Sequence, residues 1–347
     1  MAGCGWKEQA TFLGGHRKSG TTLLLSLLDA HPQLCVFPVD SGFFYGYHPV
    51  WSEGDFSDRQ RIDRIVEVMF GTLRDILAGL PGPHTFPFEA LDRRFRQHME
   101  GRACTAPELL LGAITAYRDA VGSTAEASIA RWLEKTTSTE IYAGEVFEWF
   151  PEARFVHVLR DPRDNFASLK SGWEGRYRRQ NDCIERLLQS MVDRGLLGMQ
   201  LARLNLERFG PRRYRVVRYE DLVADPRRVM DEVAGFLGIA WDDVLLRPTC
   251  AGRPWPGNNF EGLDFDAPSA VNVGRWPQRI EPHEAALLEF HFGGLMRQWG
   301  YEPAFEPAER ADAAREHYKW LNFAQRYSVA SGADTFRRPE PAPIAGA

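Results

Sequence analysis

Lysine is scarce in this chain: Lys7, Lys18, Lys135, Lys170 and Lys319 are the five among 42 basic residues. The scarcity reads as composition bias, yet it makes each position worth following, and two of the five fall in polar segments taken up below. An excess of basic charge is also missing. The formal net charge is −5 and the isoelectric point about 6.0, which argues against bulk binding to nucleic acid or an anionic membrane and leaves room for a local basic pocket. No apolar run reaches the about 18 residues that a membrane span needs. The opening MAGCGWKEQA has no apolar core of a secretory signal. Cys4, Cys35, Cys104, Cys183 and Cys250 are odd in number and scattered, without a C-x-x-C pair, so neither a disulfide framework nor a zinc site is expected. A cytoplasmic protein is the default expectation.

What is present is enough hydrophobic material for a sizeable core, 44% of 347 residues. Nothing in the middle reads as a flexible linker, so one domain over 1–330 is expected. The proline-bearing tail 331–347 is expected to be disordered. Thr11–Leu13 is a short apolar run followed by Gly14 and Gly15, a polar loop to Gly20, and the helical stretch Thr21–Ala30, which His31-Pro32 ends. Strand, glycine loop and helix together present backbone N–H groups and a positive helix end to an anion. Apolar spacing predicts helices over 59–80, 89–100 and 107–121, an insertion or lid of about 50–130 over an acceptor site. Further on, RWLEK (131–135), RFVHVL (154–159) and YRVVR (214–218) read as strands. Helices are expected at 140–150, after RDPRD through Lys170, at 182–208, 227–237, 283–298 and 307–327, with a loop over 248–280. Strands alternating with helices imply an α/β fold with a central parallel sheet flanked by helices.

The loop GGHRKSGTT is testable against the nucleotide-binding pattern G-x-x-x-x-G-K-[ST]. Gly15 and Gly20 have the right separation, but Thr21 stands where that pattern demands lysine. The lysine lies inside the loop, at Lys18. A lysine after the second glycine reaches the β- and γ-phosphates of a triphosphate; one within the loop points at whatever is joined to a single 5′-phosphate.

Here the chain resembles the sulfotransferases that use 3′-phosphoadenosine 5′-phosphosulfate (PAPS). Lys18-Ser19-Gly20-Thr21-Thr22 matches the family's phosphosulfate loop, with Arg17 where the family usually has proline, and the continuation LLSLLDAHPQL is similar to the tyrosylprotein and carbohydrate branch. The resemblance implies a P-loop-like core, PAPS as co-substrate and no metal. It also implies that Arg17, Lys18, Ser19, Gly20, Thr21 and Thr22 bind the donor. In FVHVLRDPRDNFASLKSGW (155–173), Arg160 and Ser168 match the pair that grips the 3′-phosphate in the family, a task that suits the planar fork of arginine. Arg163 reads instead as a surface arginine paired with Asp161 and Asp164. Arg218-Tyr219-Glu220-Asp221-Leu222 resembles the segment whose tyrosine lies near the adenine or its phosphate, and Tyr219 also fits a core position. Val273-Gly274-Arg275-Trp276 resembles the loop that closes over the 3′-phosphate, with Arg275 as a second clamp. RWLEKTTSTE resembles the segment that would bring Lys135 to the sulfuryl group, although Thr137 and Thr139 depart from the family's pattern.

The base that takes the acceptor proton is implied to be a carboxylate soon after the first helix, which makes Asp40 the first choice, with Glu53, Asp55 and His48 as alternatives. Two other readings stay open: a small-molecule kinase, and a non-catalytic protein that binds 3′,5′-adenosine bisphosphate (PAP). The acceptor is a small molecule, a carbohydrate or a peptide. The aromatic run from Phe37 to Trp51 reads either as a lining for it or as core. Oligomeric state is not indicated.

Overall fold

Five strands form one parallel sheet: β1 (Ala10–Gly14), β2 (Leu34–Val36), β3 (Arg131–Lys135), β4 (Arg154–Leu159) and β5 (Tyr214–Arg218), in the order β2-β3-β1-β4-β5. They belong to a computed structural model that describes residues 5, 8–80, 85–122, 129–179, 183–258, 260, 262 and 265–319. β1 and β3 are buried at every position, as expected of strands covered on both faces. The parallel α/β core is as expected, and four of its strands lie at the segments read as strands. β2 is the exception. It has three residues, too few for a period to show, and it pairs with β3 at the edge of the sheet.

The described residues fall into two compact units. The first takes in those up to Leu159, with Leu204–Asn258 and 265–269; the second takes in Arg160–Arg203, 260, 262 and Ala270 to 319. All five strands are in the first. So are the helices Asp58–Ile65, Gly71–Ala78, Phe88–Met99 and Ala106–Val121 of the expected insertion, with a π-type turn over Val66–Phe70. Their residues Met69, Leu73, Phe95 and Leu110 share one apolar core with Phe12 and Trp132 of the central strands. The insertion therefore contributes directly to the packing of the sheet. The second unit contains the helices Pro162–Ser171, Pro282–Gln298 and Pro307–Tyr318 and most of the long helix Ile184–Phe209, up to Arg203. The expected tail, and the end of the last expected helix, lie outside the described residues. The loop expected over 248–280 holds a two-strand ribbon of Thr249–Cys250 with Arg253–Pro254 and short 3-10 turns. Among the described residues no helix is long and apolar enough to cross a membrane.

The strand order changes direction at β1, which has β3 on one side and β4 on the other. In open parallel sheets ligands bind beyond the carboxyl ends of the strands at such a point. Lys18 follows β1 in the chain, Asp40 follows β2, Lys135 ends β3, Arg160 follows β4 and Tyr219 follows β5. At the turn out of β1, Gly15 has φ +137, and a Cβ there would lie 2.4 Å from the Val158 carbonyl oxygen. Gly15→Ala is therefore expected to destabilise the protein by about 2 kcal/mol or more. Chemical denaturation measures this, and an unchanged midpoint would show that the turn does not need glycine.

Candidate active site

The loop from His16 to Gly20 is shaped by left-handed backbone. Lys18 has φ 65 and Gly20 φ 104, and such residues within a turn direct successive N–H groups to one side, making a concavity for anions. A non-glycine residue held at positive φ is a mild strain of the sort that gathers at functional sites. The Ser19 N–H donates to the His16 carbonyl at 3.1 Å and closes the turn. The next helix, Thr21–Leu28, makes its first bond from the Leu24 N–H to the Gly20 carbonyl at 3.1 Å, so the amides of its first turn face the loop without helical partners. Ser19 is buried, and its Oγ has no hydrogen-bond partner among the described residues. A buried hydroxyl of that kind, beside first-turn amides and a lysine, fits an anionic ligand. The Lys18 Nζ donates to the Asn258 carbonyl at 2.7 Å. Arg17 and Thr22 are half-buried in the same stretch and Thr21 is buried. Tyr219 packs its ring against Gly20 so closely that a Cβ there would lie 2.5 Å from the ring.

The second part of this site comes from β3 and the chain that leaves β2. The Phe37 N–H donates to the Leu133 carbonyl at 3.0 Å and the Ser41 N–H to the Lys135 carbonyl at 2.9 Å, so the segment keeps alongside β3 after the strand itself ends. That brings Asp40 to Lys135. The ammonium donates to Asp40 Oδ2 at 2.6 Å, and the Thr137 hydroxyl donates to the same oxygen at 2.7 Å. Asp40 Oδ1 accepts from the Tyr45 hydroxyl at 3.0 Å and from the Gly42 N–H at 3.2 Å. The Lys135 side chain is 4% exposed and that of Asp40 24%, so this pair is sheltered with one open side. Burial pushes the Asp40 carboxyl up, but the charge of Lys135 and the hydrogen bonds from Lys135, Thr137 and Tyr45 outweigh it and hold the carboxyl below its ordinary value. Thr137 and Thr139, the two departures from the pattern, have found roles. Thr137 binds Asp40, and the Thr139 hydroxyl donates to the Thr136 carbonyl at 2.6 Å.

Beside Lys135 lies an acid that the sequence did not single out. Glu134 is fully buried, accepts from the Ser41 hydroxyl, and accepts from the Thr136 hydroxyl at 2.5 Å. Burial pushes it up to about 7 against those two hydrogen bonds. The alternatives to Asp40 are placed elsewhere. His48 is buried among aromatic rings, 4.9 Å from the Trp149 centroid, with Nδ1 at 2.7 Å from the Ser52 hydroxyl. Glu53 and Asp55 are exposed.

The second unit holds Arg160, Ser168 and Arg275. Arg160 is buried and donates to the Asn272 carbonyl at 3.0 Å. Asp161 caps the helix Pro162–Ser171, which carries Ser168. Asp164 accepts the N–H groups of Gly274 and Trp276 at 2.6 and 2.9 Å, which fixes the loop around the exposed Arg275 onto that helix. One expectation needs correcting. Arg163 is buried, not on the surface; it pairs with Asp161 and with Glu289, both at 2.6 Å, and lies 4.7 Å over the Trp276 ring. Its partner Glu289 comes from a helix distant in sequence, which local spacing does not reveal, while Asp164 is used for backbone bonds. Among the described residues no group of three or more His, Cys, Asp or Glu is placed to hold a metal ion.

The model of the sulfotransferase family matches residues 10–243. The chain belongs to the sulfotransferase family. Protein-tyrosine sulfotransferase A of Caenorhabditis elegans is 25% identical over 317 residues, spanning 85% of this chain and 68% of that relative. The sulfotransferase domain from the curacin biosynthetic pathway has a TM-score of 0.51 and 17% identity, over 85% of this chain and 98% of the other, and bears on the fold. The sulfotransferase domain of the Synechococcus PCC 7002 olefin synthase is also similar, with a TM-score of 0.49, 20% identity and coverage of 85% and 95%. This sulfotransferase thus has the P-loop-like core that its loop implied. Its Lys135→Met variant leaves the sheltered Asp40 without a cation. The expected loss of stability is about 2–4 kcal/mol at pH 7, reduced from the fully buried case by the open side of Asp40. In the unaltered protein Asp40 contributes stability above its unfolded pKa, lost as pH falls; in the variant, burial without the cation reverses that sign. The gap should therefore narrow toward pH 4 in denaturation curves, and a gap that ignores pH would contradict the pairing.

Proposed function

We propose that this sulfotransferase takes its sulfuryl group from PAPS, by in-line displacement at sulfur, and releases PAP. The observation that carries this reading is the place of the lysine. Lys18 stands inside the loop at φ 65, and buried Thr21 occupies the position where a nucleotide kinase needs its lysine. In this reading Lys18, the amides of the loop and first helical turn, and Ser19 hold the 5′-phosphate that leaves, and stabilise its growing charge. Arg17, Gly20, Thr21 and Thr22 complete that cradle, and Tyr219 supports it from behind Gly20. Arg160, Ser168 and Arg275 are assigned to the 3′-phosphate, which ATP lacks.

The acceptor hydroxyl is assigned to Asp40. A hydroxyl already donates to its Oδ1, that of Tyr45, which is 64% exposed, and it marks the direction from which an acceptor would present its own. Lys135 keeps Asp40 ionised and so able to receive a proton. A weak base suffices if the transition state is loose and the proton leaves late, as in phosphoryl transfer. Phenolic hydroxyls are the class to test first. They match the Tyr45 geometry, and the related Caenorhabditis elegans protein is named for protein tyrosine.

Labelled PAPS incubated with tyrosyl peptides, simple phenols and carbohydrate alcohols tests the reading. Transfer to one of these pools is expected, undiminished by EDTA, and Lys18→Ala should lower kcat by about 100-fold or more. Absence of transfer to every pool, or a Lys18→Ala variant with near-normal turnover, would overturn it.

A further inference from the structure

The two segments that carry Lys18 and Lys135 share a joint, and Glu140 makes it. Glu140 lies in the 3-10 turn Thr139–Tyr142 and is fully buried. Its Oε2 accepts the Gly15 N–H at 2.7 Å. The Gly15 carbonyl accepts the Ser138 N–H at 3.0 Å. Both polar groups of the glycine that opens the donor loop are therefore held by the turn that follows Lys135. Ser138 itself has φ 65, a conformation that persists only where neighbouring bonds enforce it.

Behind the carboxyl is a buried polar chain. His157 Nε2 lies 4.0 Å from Glu140 Oε1, and it has no hydrogen-bond partner among the described residues. Its Nδ1 is 2.7 Å from the Tyr214 hydroxyl. The Asn205 amide donates to the Glu140 carbonyl at 2.9 Å and to the Tyr214 oxygen at 3.4 Å. The groups that face Glu140 are thus His157 on β4, Tyr214 on β5, Asn205 on the helix Ile184–Phe209, and the loop amide of Gly15. Burial lowers His157 to about 3 and raises Tyr214 well above its ordinary value, so neither is charged near neutrality. Burial pushes Glu140 up to about 7, opposed by its own N–H and that of Gly15. As pH rises through neutrality, the charge that appears in this cluster is on Glu140, hydrogen-bonded to a loop whose ligand is anionic.

We propose that Glu140 is a positioning residue of the donor loop, and that the loop takes up the donor's phosphates fully only when the Glu140 carboxyl carries its proton. Protonated, the carboxyl still accepts the Gly15 N–H and sets the loop without opposing the ligand's charge. Ionised, it fixes the same backbone but places a negative charge, in a medium of low dielectric, on the Gly15 amide at the root of the loop. Donor binding then requires a proton to be taken up at Glu140.

The inference rests on the reading that this loop holds PAPS. Calorimetric titration of the full chain with PAP from pH 6 to 9, in two buffers of different ionisation enthalpy, tests it on the unaltered protein, Glu140→Gln and Glu140→Ala. The glutamine oxygen can accept the Gly15 N–H but carries no charge. The unaltered protein is expected to take up a proton on binding above pH 7, and to lose affinity by up to about tenfold per pH unit there relative to Glu140→Gln, the limit set by linkage. The two should bind alike at pH 6. Titration of PAP and of other groups is common to both and cancels in the comparison. Glu140→Ala, without the staple, should bind PAP about tenfold or more weakly than Glu140→Gln at pH 6, a loss of about 1.4 kcal/mol. Parallel pH curves for the unaltered protein and Glu140→Gln would overturn the proton requirement. Equal affinity of the alanine and glutamine variants would overturn the positioning role. Should Glu140→Ala fail to fold, the loss of structure with alanine and its rescue by glutamine support the staple. If the unaltered protein binds no PAP at any pH, the donor reading itself fails and this inference with it.

Discussion

The amide of Gly15 is held by Glu140 and its carbonyl by Ser138, and the space beside its Cα is closed by the Val158 carbonyl. From that fixed point the chain turns through Lys18 and Gly20, both left-handed, into a helix whose first amides lack helical partners. An anion proposed to bind at this loop would thus meet backbone that the sheet has already set. In the proposed reading, binding energy would not be spent on ordering it, which is the condition for electrostatic stabilisation of a leaving phosphate to be effective. The same turn anchors the end of β3, so the lysine of the loop and the lysine of the strand belong to one frame.

Asp40 and Lys135 show the complementary device. Four donors converge on the aspartate: an ammonium, two hydroxyls and an amide, besides a longer bond at 3.3 Å from the Thr137 N–H. Such a carboxylate stays ionised in a sheltered place, and it is oriented so that each of its oxygens accepts from a hydroxyl. The pair depends on β2 and the segment after it keeping alongside β3, because the acids nearest Lys135 in sequence, Glu134 and Glu140, are engaged by Ser41 and Thr136 and by Gly15.

How much of this was readable in the chain follows from how local each cause is. K-S-G-T-T was readable because backbone turn, lysine and hydroxyls act within a few consecutive residues. β1 was readable as a short apolar run, and β3, β4 and β5 as short strand-like segments between helical stretches. β2 was not, since Leu34–Val36 is too short for a period to show, although it delivers Asp40. Glu134, Glu140 and Arg163 were missed or misplaced for a single reason. A charged residue looks like surface until its partners are known, and those partners, Ser41, Gly15 and Glu289, stand far off in sequence. The one local hint was an acid between Leu133 and Lys135 within a strand, at Glu134.

The proposal to be tested is that the loop after β1 holds a 5′-phosphate and that Arg160, Ser168 and Arg275 recognise a 3′-phosphate. Equilibrium binding of PAP against adenosine 5′-monophosphate, both in EDTA, tests it most directly, since the two ligands differ only in the 3′-phosphate. PAP is expected to bind at least about 100-fold more tightly, the worth of one or two charge-assisted bonds to phosphate, and Arg160→Ala to remove most of the difference. Equal binding of the two nucleotides, or binding seen only for ATP with Mg²⁺, would contradict it.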